Sequence, residues 1–197
     1  MKTASLPFLL LLCIGLLGWS SCEDDDNEVV AESLNYDGDN FTAPFVDAGQ
    51  HVFAAYFPPG RTQQFSGRSL ERVSFWIQDV PGATSVVIFA EGADDDAPGA
   101  ELYRSLDLSQ RIRNRGWQDH FLTTPLTLEA DQGIWIAVES DIPSDRFQAI
   151  GCDQGLNFNP NGDRFRIPQG PTWTNFEDFT DGEATINWNI RGFLAGE

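Results

Sequence analysis

Apolar and polar residues alternate over long stretches of this chain, and that alternation limits the folds open to it. In SLERVSFWIQDV, Val73, Phe75 and Ile77 share one face, and in GIWIAVESD the face opposite the aliphatic residues carries Trp135 and Glu139. A side-chain period of two, bounded by Gly, Pro, Asn and Asp, predicts β-strands, since a helix needs apolar residues at spacings of three and four. The chain is therefore predicted to be all-β.

The number of such segments indicates the architecture. Roughly eight to ten strands in one domain predict a two-sheet antiparallel β-sandwich, jelly-roll-like, over residues 34–197. The closing segment INWNIRGFLA places Trp188, Ile190 and Leu194 on one face. Short helical turns are expected only around 60–67 and 107–114.

The N-terminus has the pattern of an export signal. Lys2 precedes an apolar run, Leu6–Leu17, which is too short to span a bilayer as a helix, and small serines lead into Cys22. Residues 1–21 are therefore predicted to be a signal peptide. The segment resembles the lipobox of bacterial lipoproteins, which implies that Cys22 carries a lipid anchor to the membrane. The alternative is an ordinary secretory signal with a chance cysteine.

An acidic block follows the cysteine directly, and phosphate head groups would repel it. Glu23, Asp24, Asp25 and Asp26 resemble the export signal of Bacteroidota surface lipoproteins. That resemblance implies an outer-membrane protein that faces the cell exterior, with the periplasmic face as the alternative. Residues 22–33 contain few core-forming side chains and are predicted to be a lipidated, acidic and flexible tether.

The charge of the chain excludes one class of partner. The 30 acidic residues outnumber the 12 Lys and Arg residues, for a formal net charge of −18. Loss of residues 1–21 removes Lys2, the only lysine, and leaves 11 arginines and a formal charge of −19. Such a surface repels nucleic acid and other anionic polymers.

The order of the segments resembles a known class of domain. HVFAAYFPP, SLERVSFWI, SVVIFAEG, APGAELYR, GWQDHFLTTPLTL, GIWIAVES and NWNIRGFLA follow one another over residues 51–194. The series is similar to the β-sandwich accessory or adhesin-type domains of Bacteroidota surface lipoproteins and secreted proteins. The resemblance implies a non-catalytic module that binds a glycan or a protein ligand. The alternative is a structural accessory subunit of an envelope complex.

The residues that catalysis most often uses are few. Cys152 has no cysteine partner in the mature chain, and His51 and His120 lack the spacing of a zinc site. The chain is therefore predicted not to be an enzyme and to require no cofactor. A jelly-roll carbohydrate-active enzyme stays as an alternative, since glycoside hydrolysis needs only two carboxylates.

Aromatic residues amid turn residues provide the ligand hypothesis. Trp76, Trp135 and Trp188 fall inside strands and are predicted to be core residues, whereas two other tryptophans lie among turn residues and amides that suit a sugar ring. The predicted ligand-binding residues are Trp173, Asn175, Asp153, Asn157, Asn159 and Trp117. The alternative is that these tryptophans close the ends of the sandwich.

One loop has the spacing of a calcium site. Asn157, Asn159 and Asn161 precede a glycine, and Asp163 follows it, which reproduces the oxygen-ligand spacing that opens a Ca²⁺ loop. Pro168 stands where the closing Glu of such a loop is expected. Calcium is therefore a hypothesis, and a plain turn between strands is the alternative.

Overall fold

The computed structural model describes residues 33–168 and 172–195. The predicted signal peptide (1–21), the lipidation site at Cys22 and the acidic residues Glu23–Asp26 lie outside the described residues, so those assignments stay predictions. Within the described part of the chain, no helix is long and apolar enough to cross a membrane.

The described residues form ten strands and two short helices. The strands are β1 (Ser33–Leu34), β2 (Gly49–Phe57), β3 (Ser69–Ile77), β4 (Thr84–Ala90), β5 (Glu101–Arg104), β6 (Gly116–Thr127), β7 (Ile134–Ile142), β8 (Arg164–Arg166), β9 (Trp173–Asn175) and β10 (Ile190–Leu194). The helices are α1 (Pro59–Thr62), which continues into a 3₁₀ turn (Gln63–Phe65), and α2 (Phe176–Phe179). The helical turn expected around 60–67 is thus confirmed. At 107–114 the chain also makes a single helical turn, in which Ile112 N–H donates to the Leu108 carbonyl (3.1 Å), although no regular helix forms there.

The strands form two antiparallel sheets, as the alternation predicts. One sheet has four strands in the order β1-β10-β3-β6, and the other has six in the order β5-β4-β7-β2-β8-β9. β10, at the end of the chain, lies between β1 and β3 and so joins both ends of the domain into one sheet. The architecture is a two-sheet β-sandwich.

The core lies between the sheets and contains the residues that the alternation selects. Val73, Phe75 and Ile77 of β3 are fully buried there. Trp188 lies just before β10, where its ring contacts Phe53 edge-on (5.1 Å between centroids) and its indole N–H donates to the Arg164 carbonyl (3.0 Å). Trp188 is therefore a core residue, as predicted.

Gly192 in β10 lets the two sheets approach each other. It pairs with Val73 and faces the core, where a Cβ atom would lie 2.5 Å from Ile136 Cδ1 and 2.8 Å from Leu70 Cδ1. A side chain here would force the sheets apart, which gives a physical reason for the glycine of the NWNIRG segment.

The six-stranded sheet is also buried on its outer face, which changes the interpretation of two tryptophans. Trp135 is fully buried, but it belongs to a second cluster on that outer face, with Tyr56 and other residues of β2, β4 and β7. Trp173 packs over this cluster.

Trp76 faces outward from the four-stranded sheet and is only half-buried, so its prediction as a core residue is wrong.

Truncation of Trp188 tests the core. Trp188→Ala should destabilise the domain by about 3–5 kcal/mol, because it leaves a large cavity among aromatic rings and removes the bond to Arg164. For a domain of this size the melting temperature should fall by about 6–20 °C. Phe121→Ala is the matched control, since that ring is 69 % exposed on β6 and its loss should change stability by about 0.5 kcal/mol or less. Equal effects of the two substitutions would contradict this assignment.

Candidate functional site

Asn187 is fully buried and holds the carboxylate of Asp153. Its backbone N–H donates to Asp153 Oδ1 (2.8 Å) and its side-chain amide donates to Asp153 Oδ2 (2.9 Å). The side-chain oxygen of Asn187 accepts a hydrogen bond from the backbone N–H of Asn159 (3.0 Å). One buried amide thus fixes the loop 153–159 at both of its ends.

Asn189 and Arg191 hold a second carboxylate, that of Asp37. Asn189 Nδ2 donates to Asp37 Oδ2 (2.7 Å), and Arg191 Nε donates to the same oxygen (2.9 Å). Arg191 Nη2 also donates to the carbonyl of Gly38 (2.9 Å). Burial raises the pKa of Asp37, and the hydrogen bonds from Arg191 and Asn189 oppose that rise.

The three polar residues alternate with core residues along the closing segment. Trp188 and Ile190 enter the core, and the side chains of Asn187, Asn189 and Arg191 bind the two carboxylates instead. The site residues predicted from the sequence do not include these three. Their strict alternation with Trp188 and Ile190 is the signal that could have identified them.

The two loops held in this way enclose a cleft. The loops 37–41 and 153–157 are joined by a hydrogen bond from Gly38 N–H to Asp153 Oδ2 (3.1 Å), and the cleft between them measures about 380 Å³. Its lining combines the amide and carboxylate side chains of Asp39, Asn40, Asp153, Gln154 and Asn157 with the apolar side chains of Phe41 and Leu156. Phe41 is 62 % exposed and Leu156 is 84 % exposed. An exposed apolar rim beside amides and carboxylates suits a ligand that has both hydroxyl groups and apolar faces.

Trp117 is linked to one wall of this cleft through Arg191. It pairs with Trp76 across β6 and β3, and its indole lies over the guanidinium of Arg191 (4.3 Å from Cζ to the ring centroid). Because Arg191 also binds Gly38, this tryptophan is positioned through the same network as the cleft. Its side chain is 38 % exposed, so part of the ring is open to a ligand.

Trp173 and Asn175 lie elsewhere. Their neighbours in the sequence predict a loop, but the two residues lie in β9, the edge strand of the six-stranded sheet. The Trp173 ring is half-buried and contacts the edges of Trp135 (5.2 Å between centroids) and Phe89 (6.2 Å). Of the six predicted ligand-binding residues, Asp153 and Asn157 therefore line the cleft, Asn159 and Trp117 adjoin its supporting network, and Trp173 and Asn175 do not share it.

The loop with calcium-like spacing uses much of its polar capacity internally. Asn159 Oδ1 accepts from Asn161 N–H (2.9 Å), and Asn161 Oδ1 accepts from Arg164 Nη2 (2.9 Å). Asp163 is fully buried; its Oδ2 accepts from Glu177 N–H (2.9 Å), and its Oδ1 has no partner among the described residues. No group of three or more His, Cys, Asp or Glu residues in 33–168 and 172–195 is placed to hold a metal ion. Calcium at Asn157, Asn159, Asn161 and Asp163 stays a prediction.

The lone cysteine and the histidines have buried surroundings. Burial raises the pKa of the Cys152 thiol to about 12, so at neutral pH it is the uncharged thiol. Burial lowers the pKa of both His51 and His120. His120 Nε2 lies 2.7 Å from the hydroxyl of Tyr103, which links the edge strands β6 and β5. The three groups thus belong to the packed interior or to a contact between the sheets.

Comparisons of this chain with protein-family models, with curated proteins and with solved structures found no match.

The buried carboxyl of Asp163 should make stability depend on pH. Burial raises its pKa from 3.8 to about 7 in the folded protein. At a pH between these two pKa values, Asp163 is protonated in the folded protein and ionised in the unfolded chain. The stabilisation that the protonated carboxyl contributes is therefore fully present below about pH 4 and is lost as the pH rises to about 7. The loss amounts to about 4 kcal/mol at most, from roughly three pKa units.

Asp163→Asn imitates the protonated form and should therefore gain stability over the wild type at about pH 8 and not at about pH 4. Urea unfolding at the two pH values measures the difference, and Asp131→Asn, at an exposed position, is the control. If Asp163→Asn and the wild type differ in their free energy of unfolding by the same amount at both pH values, the assignment of a raised pKa to Asp163 is wrong.

Proposed function

We propose that this protein is a lipid-anchored module of the bacterial outer membrane that binds a glycan at the cell surface without catalysing a reaction. The observation that carries the proposal is the cleft between loops 37–41 and 153–157, with its mixed polar and apolar lining. Its volume of about 380 Å³ lies in the range of small-ligand sites. The resemblance to adhesin-type accessory domains agrees with such a role.

The lining suits a neutral sugar. Exposed side chains of Asp39, Gln154 and Asn157 offer carboxylate and amide groups for hydroxyls, and exposed Phe41 offers an apolar ring for the C–H face of a pyranose. A neutral ligand avoids repulsion from a chain of net charge −18. A sulfated or uronic-acid polymer would meet that repulsion.

The cleft is also held rigid before a ligand arrives. Hydrogen bonds to Asn187, Asn189 and Arg191, three residues of the closing segment, hold the two loops that form the walls of the cleft. A preformed site loses less conformational entropy on binding than a mobile one. This supports recognition by fixed loops.

A second candidate function rests on the outer face of the four-stranded sheet. There Phe121 is 69 % exposed, and the guanidinium of Arg72 lies over the ring of Phe193 (3.7 Å) and near that of Phe121 (5.9 Å). Exposed aromatic and arginine side chains are enriched in protein–protein contacts. This face favours the structural accessory subunit as the alternative to a glycan-binding module.

Binding to the cleft is tested on immobilised neutral glycans. Asn157→Ala and Phe41→Ala should each weaken retention about tenfold, because each removes one contact from a ligand held by few groups. Trp173→Ala is the comparison. The Trp173 ring packs against Trp135 on the outer face of the six-stranded sheet, so this variant should still be retained on the glycan. Melting curves of all three variants separate lost binding from lost folding. Loss of retention in Trp173→Ala alone, with a normal melting curve, would move the site to β9.

The anchor is tested in cells by fractionation and protease access. Cys22→Ser should leave the precursor unprocessed and release it from the outer-membrane fraction, because an acyl chain contributes about 0.8 kcal/mol per buried methylene to membrane attachment. Replacement of Glu23–Asp26 by alanines should preserve lipidation and abolish digestion by added protease. If Cys22→Ser has the same mass and fractionation as the wild type, the lipid anchor is contradicted. If the alanine variant is digested by added protease as readily as the wild type, the acidic block acts only as a spacer and not as an export signal.

A further inference from the structure

A second pocket, which shares no residue with the cleft, lies where β2 begins and β8 ends. It measures about 360 Å³ and is lined by four aromatic rings, those of Phe45, His51, Phe165 and Phe179. Two aliphatic side chains and the acidic residue Asp47 complete the lining. Phe45 and Phe179 are about half exposed, so the walls of the pocket are open to solvent and its floor is not.

The floor is rigid. Phe165 is fully buried and packs against Phe53 (5.3 Å between centroids), Trp188 (5.9 Å) and Phe179 (5.5 Å). His51 stacks on Phe165 (5.5 Å). Phe53, Phe165 and Trp188 belong to the core of the sandwich, so the floor of the pocket exists without a ligand to shape it.

The histidine of the pocket is uncharged at neutral pH. Its Nε2 lies 2.8 Å from the carbonyl of Asp47, an acceptor, so Nε2 carries the proton and donates it. Its Nδ1 is then unprotonated; it is shielded from solvent and has no hydrogen-bond partner within the described residues. Burial lowers the pKa of His51, in agreement with an uncharged ring. The ring therefore adds no positive charge that would repel a cation.

The charges around the pocket favour a cation. Asp47 contributes a carboxylate to the lining, and the whole chain has a net charge of −18. One cation of the chain is already bound to a wall, because the guanidinium of Arg146 lies over the ring of Phe45 (5.0 Å). Arg146 has a positive φ of 57°, a conformation that a non-glycine residue adopts at some cost in free energy.

We propose that this pocket binds a methylated ammonium ion of the choline class. Aromatic faces attract such ions through the negative charge of their π-systems. The two exposed rings, Phe45 and Phe179, provide that attraction beside the carboxylate of Asp47, above a floor formed by the buried rings of His51 and Phe165. A primary ammonium has three N–H donors that need acceptors. The lining offers the exposed carboxylate of Asp47 and otherwise apolar or ring surfaces, which suits a trimethylammonium group, since such a group has no N–H donors.

The experiment compares choline with 3,3-dimethylbutan-1-ol, a neutral molecule of the same shape, on the purified full-length protein by calorimetry. Choline should bind saturably and at least about threefold more tightly than the alcohol, because only choline carries the charge. Equal or tighter binding of the alcohol, or no saturable binding of choline, would overturn the proposal.

Variants separate the cation site from a merely apolar pocket. Phe179→Ala and Asp47→Asn should each weaken choline binding by about threefold to tenfold. Arg146→Gln should strengthen it, since it removes a competing cation from Phe45 and a repulsive charge from the mouth. Phe121→Ala, on the other sheet, is the matched control and should leave binding unchanged. Melting curves confirm that each variant is folded, and a loss of choline binding in Arg146→Gln would contradict the assignment of the ligand as a cation.

Discussion

Asp153 is a nearly buried carboxylate whose oxygens accept four hydrogen bonds, and the arrangement of the loops depends on it. Two of the bonds come from Asn187, one from Gly38 N–H and one from Gly155 N–H. A carboxylate taken out of water at this depth requires such donors, because an unpaired buried charge costs several kcal/mol. The donors come from three separate parts of the chain. The same contacts that solvate the charge therefore join the N-terminal loop, the 153–159 loop and the closing segment.

The sequence predicts the strands well because their signal is local. Alternation identifies β3 and β7 and assigns Val73, Phe75 and Ile136 to the core. A side-chain period of two residues determines which side chains share a face of the sheet. The alternation does not show whether the opposite face of the sheet is exposed to solvent or covered by another part of the chain. Trp76 and Trp135 both point away from the core. Trp135 is nevertheless fully buried, because Trp173 packs over it from a strand that lies almost forty residues further along.

The candidate cleft is less accessible to prediction from the sequence because its parts are distant in the chain. Asp153 and Asn157 are recognisable as polar loop residues, and the structure does place both in the cleft lining. The other wall comes from the loop after Asp37, and Asn189 reaches that residue across 152 positions of sequence. No spacing rule relates such residues. Trp173 illustrates the opposite error, in which turn-like neighbours suggest a loop although pairing with β8 makes the segment an edge strand.

The acidity of the chain connects the two proposed sites. A net charge of −18 gives a neutral glycan no electrostatic gain, so the proposed binding at the cleft would depend on short-range contacts, which salt hardly changes. A small cation gains from the field of the whole protein at low salt, and this gain declines as the Debye length falls from about 10 Å at 0.1 M to about 3 Å at 1 M. The rings of the aromatic pocket act at contact distance and keep their attraction at high salt. The two proposed sites would therefore differ in the range of the forces that hold their ligands. Binding in the cleft would depend on the loop geometry that Asp153 and Asp37 maintain, whereas binding of a cation in the aromatic pocket would also gain from the electrostatic field of the whole acidic surface.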